Sequence, residues 1–442
     1  MRYPDSVEYL YALGNEMKSA KLGLDRILAL LERLGQPQKR FRVVHVAGTN
    51  GKGSTCAMIA SGLRAAGLRT GLYTSPHLLQ PTERIRIDGA ALSKDDFLRH
   101  FLQVHEAAES MVSHGELDAH PSYFETLTAM AFCAFAGAAV EIAVVEVGLG
   151  GRLDATNVVQ PELSVITPID FDHEAWLGHS LEGIAGEKAG IIKPDTPVLC
   201  AFQHPTVWPV LESKAASLGA PFHRSSAWTR ENLEIHEDGC CFVLRRPVGS
   251  DDSRPPTITV DCPLRGAYQA ENAVTAAAAL DLLGIDAAAI ADGLHAVRWP
   301  GRLQRVGEHP DIYLDGAHNP AGCAALAAFI LKVRNGRKVW LVFGLMRDKA
   351  ISEMAELLFP LADHLVLTAP DQPRALRPEA LAEHAEGMPV QIAHTVSEAL
   401  DVVSQAPAED VVFIAGSLYL VAEALAVFQP SVSAGSVDIA TP

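Results

Sequence analysis

The sequence predicts an α/β protein built from two units, each a mostly parallel sheet with helices on both faces. Short apolar runs, which predict buried strands, alternate with longer segments that have the apolar spacing of helices. Between about residues 228 and 262 short alternating pieces instead predict a small β-rich insert. The alternation resumes after the Pro-Gly pair at 300–301, which indicates a linker. We therefore predict an N-terminal domain over 1–298 and a C-terminal domain over 299–442.

The two domains are predicted to contain five principal strands each. In the first domain the apolar runs lie at 41–48, 69–75, 141–148, 162–169 and 197–202. Helical spacing is found at 22–34, 54–66, 96–112, 122–137 and, after the insert, 267–284. In the second domain the runs lie at 311–319, 338–346, 363–370, 389–395 and 410–417. Because a helical stretch follows each of these runs, the second domain is predicted to be Rossmann-like.

Charge and cysteine content exclude several classes of protein. The net charge of −17 argues against a general nucleic-acid or anionic-membrane binder, since such proteins need a surplus of Lys and Arg. Seven scattered cysteines without a C-x-x-C pair fit a reducing compartment and give no support for structural zinc. The N-terminal segment lacks the apolar core of a secretion signal. The most apolar stretch, 129–151, contains Glu141 and Glu146 and predicts a helix followed by a strand. We expect a cytoplasmic protein without a membrane partner.

The stretch HVAGTNGKGSTCAMIASGL (45–63) predicts a phosphate-binding loop between a buried strand and a helix. The residue six positions before Lys52 is Val46, so the spacing differs from that of the common P-loop. A strand, a glycine-rich turn and a helix start nevertheless direct backbone N–H groups and the helix dipole to one point. Lys52 is expected to reach the terminal phosphates, and the hydroxyl of Ser54 or Thr55 is a candidate Mg²⁺ ligand. The first domain is thus predicted to be of P-loop type; the alternative is a solvated glycine turn.

Polar residues follow the neighbouring strands. Glu146 lies near the end of its strand, where a carboxylate beside a phosphate site is the usual partner of Mg²⁺; a neutralised buried Glu is the alternative. His173 follows the next strand, and this position favours a functional over a structural histidine. Asp170 and Asp172 are interpreted as turn residues or as supports of a ligand. From its local sequence, Lys188 would be a surface lysine paired with a nearby Glu.

The string G-T-N-G-K-G-S-T (48–55) resembles the phosphate loop of the Mur ligases and, among them, of the folylpolyglutamate synthases. The segments at 73–89, 121–132 and 147–157 resemble folylpolyglutamate and dihydrofolate synthases rather than the muramyl enzymes. The resemblance runs from 22–35 to 411–425, which is nearly the whole chain.

This resemblance implies site residues that the local sequence does not show. Lys188, in the segment EKAGI, would be carbamylated by CO₂ and would become an oxygen ligand of a second Mg²⁺. With Lys188, the implied Mg²⁺ contacts are Ser75, Glu146 and His173, and the implied catalytic residues are Lys52, Lys188 and His173. The implied ATP contacts are Thr49, Asn50, Gly51, Lys52, Gly53, Ser54, Asn272, Arg302, Asp315 and His318. The implied pteroate pocket is lined by Lys21, Leu22, Ser122, Tyr123, Phe124, Glu125, Leu153, Asp154 and Ala155. Taken alone, Asn272 would be a residue of a helix's first turn or an exposed residue, and Tyr123 and Phe124 would be core residues.

The resemblance predicts an ATP-dependent amide ligase that acts through an acyl phosphate with Mg²⁺ as cofactor. It would join L-glutamate to dihydropteroate, to (tetrahydro)folate glutamates, or to both, and we expect a monomer. The first alternative is a muramyl-type amino-acid ligase, against which the segments RLDATN and TSPHL count. The second is a nucleotide-binding switch without ligase activity, which has no need of the second domain.

Overall fold

A computed structural model describes residues 1–14, 23–247 and 255–429. The N-terminal unit is built on an eight-stranded sheet. Its strands are β1 (Arg42–Ala47), β2 (Thr70–Tyr73), β3 (Ile85–Ile87), β4 (Ala90–Ala91), β5 (Ile142–Glu146), β6 (Leu163–Ile166), β7 (Val198–Cys200) and β8 (Phe222–Arg224). They lie in the order β4-β3-β2-β5-β1-β6-β7-β8. Neighbours among the last six strands of this order are parallel, whereas β3 is antiparallel to both β2 and β4. The prediction of a mostly parallel sheet is confirmed.

Helices cover both faces of this sheet. They are α1 (Tyr3–Ala12), α2 (Asp25–Arg33), α3 (Lys52–Ala65), α4 (Lys94–Ser113), α5 (Tyr123–Gly137), α6 (Glu174–Leu177), α7 (Leu181–Lys188), α8 (Trp208–Ser217), α9 (Ala267–Leu282) and α10 (Ala287–Ala296). One apolar core on one side of the sheet contains α1, α2, α4 and α5. A second core on the other side contains α3, α9 and α10. The predicted helices at 22–34, 54–66, 96–112 and 122–137 correspond to four of these elements.

The β-rich insert is an antiparallel sheet of three strands. They are β9 (Thr229–His236), β10 (Gly239–Arg245) and β11 (Thr257–Cys262), in the order β11-β10-β9. Apolar side chains of the insert, among them Phe242 and Val260, belong to the same core as α3 and α9. The insert therefore packs on the first domain and shares its core.

The C-terminal unit is a six-stranded sheet that is parallel except at one edge. Its strands are β12 (Gln304–Gly307), β13 (Asp311–Asp315), β14 (Val339–Phe343), β15 (His364–Leu367), β16 (Val390–Ile392) and β17 (Val411–Ala415). Their order is β12-β13-β17-β14-β15-β16, and only β12 runs antiparallel to its neighbour in this sheet. The helices are α11 (Pro320–Arg334), α12 (Ile351–Leu358), α13 (Pro378–Ala382), α14 (Val396–Val403) and α15 (Leu418–Phe428). The fold class is confirmed, and the domain boundary at 298/299 stays a prediction.

Elements that the sequence analysis did not predict are short or lie at sheet edges. β3 and β4 are three and two residues long, too short to give a periodic pattern. β8 is a three-residue edge strand, and β12 contains the polar residues Gln304 and Arg305. In the described part of the chain no helix is long and apolar enough to cross a membrane.

Candidate active site

The glycine-rich loop follows the central strand β1. Gly48 has φ 150°, and a Cβ there would lie 1.9 Å from Thr167 Oγ1 at the end of β6. Gly51 has φ 82° and caps α3; its Cβ would lie 2.4 Å from Asn272 Oδ1. Both positions therefore need glycine, for its positive φ and for the close approach of neighbouring elements. The backbone N–H of Thr49 donates to Pro168 O at 2.9 Å, which fixes the loop to the segment after β6.

Lys52 begins α3, and its Nζ donates to the carbonyl oxygen of Thr49 at 3.0 Å. Ser54 accepts a hydrogen bond from Gln269 Nε2 at 3.2 Å and lines the cleft described below. Thr55 is fully buried, and its hydroxyl has no hydrogen-bond partner among the described residues. Of the two hydroxyls named in the sequence analysis, that of Ser54 is the one beside open space.

Glu146 ends β5 and is directly paired with Val46 of β1 in the parallel register. Its side chain is buried, and its Oε2 accepts the backbone N–H of Ser75 at 3.1 Å. Burial raises the pKa of Glu146 to about 7, although the nearby Lys52 and Arg302 act in the opposite direction. The carboxylate thus lies beside the phosphate loop and next to Ser75, as expected for two residues that would share a cation.

Lys188 is not the surface lysine that its local sequence suggested. It ends α7, its residue exposure is 4%, and its Nζ donates to Gly48 O at 2.8 Å. Glu187 points away and pairs instead with Arg152, with Nη2 and Oε1 2.9 Å apart. Burial and the proximity of Lys52 lower the pKa of Lys188 to about 7. The interpretation as a surface ion pair is wrong because the helix end packs directly against the glycine-rich loop.

His173 precedes the short helix α6 and has φ 52°, a left-handed conformation. Burial lowers the pKa of His173 to about 4, against the opposing influence of Asp172, so the ring is neutral near pH 7. The backbone N–H of His173 donates to Asp172 Oδ1 at 2.9 Å. The ring is one-third exposed toward the cleft and can offer a nitrogen lone pair to a ligand there.

Asp172 connects the two domains. Lys349, which follows β14, donates from Nζ to Asp172 Oδ1 at 2.8 Å, and Asn319 Nδ2 lies 3.2 Å from Oδ2. His318 Nε2 lies 3.7 Å from the same carboxylate. Burial would raise the pKa of Asp172, but His173, Lys349 and His318 outweigh it and hold the pKa below its usual value. The sequence analysis treated Asp172 only as a turn or supporting residue and missed Lys349 and Asn319 as its partners.

The first strand of the second domain presents further predicted residues. Asp315 ends β13 and accepts the N–H groups of Leu303 and Ala317, both at 2.9 Å, so it fixes the loops on either side of the cleft. Arg302 donates from Nη1 to Gly301 O at 3.1 Å. His318 Nδ1 lies 2.7 Å from Gly316 O, and burial lowers the pKa of His318 to about 4. These three residues lie between the domain linker and the start of α11.

Asn272 lies inside α9 and is buried, so its interpretation as a residue of the first helical turn or an exposed residue is wrong. Its Nδ2 donates to Gln269 Oε1 at 3.0 Å, and its Oδ1 faces Gly51. The polar residue occurs in an apolar helix because α9 packs against α3 and brings this one position to the phosphate loop.

The predicted pteroate residues form the other end of the site. Ser122 caps α5 by accepting the N–H of Glu125 at 3.3 Å, and Arg26 Nη2 lies 3.0 Å from Glu125 Oε2. Tyr123 is buried, with the Tyr11 ring stacked on it at 5.7 Å and the Arg84 guanidinium 5.3 Å from its ring centre. Lys21 and Leu22 lie outside the described residues.

The loop after β5 forms the wall between the two ends of the site. Asp154 accepts the N–H groups of Gly148 at 3.0 Å and Leu149 at 2.9 Å, which holds the loop closed upon itself. A Cβ on Gly148 would lie 2.5 Å from the Phe124 ring, so the loop packs directly on this aromatic side chain. Burial raises the pKa of Asp154, and its hydrogen bonds act in the opposite direction. Tyr123, Phe124 and Asp154 are thus core residues that also face the site.

A cleft of about 1190 Å³ joins all these features. Every site residue that the resemblance implied and that lies within the described ranges lines it, from the glycine-rich loop, Ser75, Glu146, His173 and Lys188 to Asn272, the segments 122–125 and 153–155 and the residues of the second domain. The cleft also reaches Asp172, Asn319 and Lys349. Its position at the carboxyl ends of the parallel strands is the usual place for a ligand in an α/β sheet.

Comparison with known proteins identifies the family. The model of the Mur ligase middle domain matches residues 46–280, and that of the Mur ligase glutamate ligase domain matches residues 301–418. The dihydrofolate synthase/folylpolyglutamate synthase of Mycobacterium tuberculosis is 38% identical over 408 residues, which is 86% of this chain and 81% of the relative. The enzyme of the same name from Bacillus subtilis is 35% identical over 433 residues, covering 95% and 98%.

Solved structures agree with this assignment. The folylpolyglutamate synthase of M. tuberculosis complexed with ADP and AMPPCP superposes with a TM-score of 0.88 at 35% identity, covering 96% of this chain and 99% of that one. FolC of Escherichia coli in complex with DHPP and ADP superposes with a TM-score of 0.85 at 33% identity, covering 98% and 99%. The chain therefore belongs to the dihydrofolate synthase/folylpolyglutamate synthase family, the ATP-dependent ligases of the Mur ligase superfamily.

Proposed function

We propose that this enzyme joins the amino group of L-glutamate to a carboxylate of dihydropteroate or of a (tetrahydro)folate glutamate. The observation that carries the proposal is the cleft, in which a phosphate loop, a pocket with aromatic residues and the loops of the second domain face one another. A nucleotide switch has no need of the aromatic pocket. We also propose that the enzyme acts as a monomer and in the cytoplasm.

The chemistry needs activation of a carboxylate. A carboxylate oxygen of the pterin substrate attacks the γ-phosphorus of ATP, the bond to ADP breaks, and an acyl phosphate forms. The glutamate nitrogen then attacks the acyl carbon, phosphate leaves, and one amine proton passes to solvent. Neither step needs a protein nucleophile, so positioned cations and N–H groups suffice. The N-terminus of α3, Lys52 and Arg302 are the groups that we assign to the phosphates.

The donor atoms around Glu146 fit Mg²⁺. Carboxylate and hydroxyl oxygens are ligands that Mg²⁺ prefers, and Glu146 and Ser75 are adjacent, since the Glu146 carboxylate accepts the backbone N–H of Ser75. We propose that Ser75, Glu146, the neutral ring of His173 and a carbamylated Lys188 would hold Mg²⁺, with the carbamate as a ligand of a second ion. When bound, Mg²⁺ would neutralise charge on the phosphates. The raised pKa of Glu146 supports this assignment, because it indicates a buried carboxylate that its present neighbours do not fully compensate.

Lys188 is proposed to carry a carbamate. A lysine with a pKa near 7 is largely neutral just above that pH, and a neutral amine can attack CO₂ with loss of one proton. The product exchanges a cation next to Lys52 for an anion, which replaces a repulsion by an attraction in a buried site. The carbamate also supplies oxygen, the ligand type that Mg²⁺ prefers.

L-glutamate is proposed to bind on the wall that the second domain contributes. The substrate carries two carboxylates, and Arg374 and Lys349 are cationic residues on that wall. The pterin ring is proposed to bind at the opposite end, beside Tyr123 and Phe124, which both line the cleft. The phosphate loop lines the same cleft, and we propose that both reacting groups approach the γ-phosphate there.

The first experiment measures ADP release by the purified enzyme with ATP, glutamate and either dihydropteroate or tetrahydrofolate. We expect release to require both glutamate and a pterin, and Lys52→Ala to lower it by about 100-fold or more while the circular dichroism spectrum is retained. The exposed Lys39 provides the control, since Lys39→Ala should leave the rate unchanged. ATP hydrolysis that ignores glutamate and pterin would support the switch, and activity with a UDP-muramyl acceptor alone would support the muramyl ligase.

The second prediction concerns Glu146. Glu146→Gln keeps the shape of the side chain but removes its charge, so the Mg²⁺ concentration for half-maximal rate should rise by about tenfold or more. The control is Glu141→Gln, because Glu141 is exposed, directly precedes the opposite end of this strand and does not line the cleft. An unchanged Mg²⁺ titration in Glu146→Gln would make this glutamate a structural residue.

The third prediction separates a carbamate from a plain lysine at 188. Lys188→Ala should cripple the ligase, and formate or acetate should restore part of the rate by taking the place of the lost carboxylate. Lys52→Ala loses a cation and should not respond to these anions. Lys193, whose Nζ donates to Asn157 O at 3.0 Å, provides the control Lys193→Ala, which should remain active. Full activity of Lys188→Ala without any added anion would contradict the proposal.

The fourth prediction tests Asp172 as the residue that joins the domains. Asp172→Ala leaves the nearly buried Lys349 ammonium without its carboxylate, so we expect a loss of about 3 kcal/mol in unfolding free energy. Asp170→Ala should cost less than about 0.5 kcal/mol, since among the described residues the Asp170 side chain accepts a hydrogen bond only from the neighbouring N–H of Phe171. The double variant Asp172→Ala/Lys349→Met should recover part of the loss, as measured by thermal unfolding. Equal stabilities of Asp172→Ala and Asp170→Ala would rule out this role.

A further inference from the structure

A cluster of polar side chains lies on the first domain, among residues that do not line the cleft. His105 and Glu109 are one turn apart on α4, and His120 follows on the segment that leads to α5. Glu109 Oε1 lies 3.4 Å from His120 Nε2 and 3.9 Å from His105 Nδ1. Tyr9 of α1 directs its hydroxyl into the group, 3.1 Å from Glu109 Oε1 and 3.3 Å from His120 Nε2.

The cluster contains more acceptor atoms than protons. His120 Nδ1 lies 3.2 Å from Pro121 O, so this nitrogen is the donor and Nε2 carries the lone pair. His105 Nδ1 is buried and has no hydrogen-bond partner among the described residues. Glu109 Oε1 and His120 Nε2 both face the Tyr9 hydroxyl, which can donate to only one of them at a time, while His105 Nδ1 lies 3.9 Å from Glu109 Oε1. A cation at the centre would satisfy all three.

The spacing suits a metal ion with nitrogen and oxygen ligands. The three ligand atoms lie within 4.8 Å of one another. Zn²⁺ bonds of about 2.0 Å to nitrogen or oxygen place the ligands of a tetrahedral site roughly 3.3 Å apart. The distance from Glu109 Oε1 to His120 Nε2 is 3.4 Å, and that to His105 Nδ1, at 3.9 Å, requires a small inward shift of the side chain. Imidazole ligands favour Zn²⁺ and its neighbours over Mg²⁺. The side chain of Glu109 is 53% exposed, against 18% for His105 and 19% for His120, so the ion can enter from solvent past the carboxylate.

We propose that His105, Glu109 and His120 form a binding site for a divalent transition-metal ion, of which Zn²⁺ is the representative. Water completes the coordination at the open side. Tyr9 keeps its proton and donates to the Glu109 carboxylate. This hydrogen bond orients Glu109 as a metal ligand. The site is separate from the proposed Mg²⁺ site in ligand chemistry and position.

The position of the site gives it a consequence for the cleft, which rests on the proposed function. A bound ion ties α1, α4 and the segment before α5 together. His120 lies two residues before Ser122, the cap of α5, and Tyr11 of α1 stacks on Tyr123 at 5.7 Å. Metal occupancy therefore holds the wall of the proposed pterin pocket, and we expect it to lower the KM for the pterin but not for ATP.

The test begins with metal-free protein and Zn²⁺, measured by calorimetry and by the shift in melting temperature. We expect one equivalent to bind with the wild type and this binding to be lost in His105→Ala and His120→Ala. Tyr9→Phe should weaken it about tenfold. A melting temperature that rises with Zn²⁺ only when both histidines are present would support the site, since a ligand that prefers the folded state stabilises it.

The control uses a second cluster, Glu234, His236 and Cys241, which lies exposed on strands of the insert. His236→Ala should leave the binding described above unchanged. Co²⁺ distinguishes the two locations, because binding through Cys241 adds a thiolate charge-transfer band that the His/His/Glu site lacks. Equal Zn²⁺ binding in wild type, His105→Ala and His120→Ala, or no binding in wild type, would overturn the proposal. Zn²⁺ binding without any change in pterin KM would remove only the coupling to the cleft, and absence of ligase activity would leave the binding result intact.

Discussion

Two lysine amino groups bound to adjacent carbonyl oxygens of one loop set the electrostatics of the whole cleft. Lys188 Nζ donates to Gly48 O at 2.8 Å and Lys52 Nζ to Thr49 O at 3.0 Å. The carbonyls satisfy hydrogen bonds but do not carry the charge that two cations need. Carboxylates of the first domain act on both lysines, Asp172 and Asp154 on Lys188 and Glu146 on Lys52, and burial raises the pKa of Glu146. Anions that bind beside these amino groups would compensate their charge. The phosphates of ATP and the proposed carbamate of Lys188 are such anions.

The second domain contacts the cleft wall of the first domain through one carboxylate, that of Asp172. Asp172 belongs to the first domain, yet Lys349, Asn319 and His318 of the second domain gather around it. Asn319 also donates to Asn50 of the phosphate loop at 2.9 Å, so the start of α11 contacts the loop directly. Because these contacts are short and buried, a small rotation of the second domain changes several of them together. These contacts hold the second domain against the phosphate loop, and Arg302 lines the same cleft as Lys52.

The sequence predicted the fold class well because long apolar strands and helices have strong periodicity. It also predicted the candidate residues that follow parallel strands, such as Glu146 and His173, since carboxyl ends of strands meet at one edge. Lys188 and Asn272 were misjudged locally because their burial comes from the packing of α7 and α9 on the glycine-rich loop, which no local pattern encodes. Asp172 was interpreted only as a turn residue or a support of a ligand. Its contacts with the second domain were missed, because these partners lie 146 to 177 positions away in the chain. Lys349 follows a buried strand, and the rule that found Glu146 could have found it.

The acidic surface and the cationic cleft are compatible because charges act over different distances. The chain has a net charge of −17, and ions screen exposed charges beyond about 8 Å at physiological ionic strength. Inside the cleft Lys52, Lys188, Arg302 and Lys349 lie among buried groups, where screening is weak. A phosphate in this cleft therefore interacts with the local cations far more strongly than with the distant acidic surface. The same contrast acts on the proposed product, whose negative charge grows with each glutamate added, because charges on the part of the tail that extends into solvent are screened. Binding strength in the proposed reaction is thus concentrated at the phosphates and the reacting carboxylate, where it can act on the transition state.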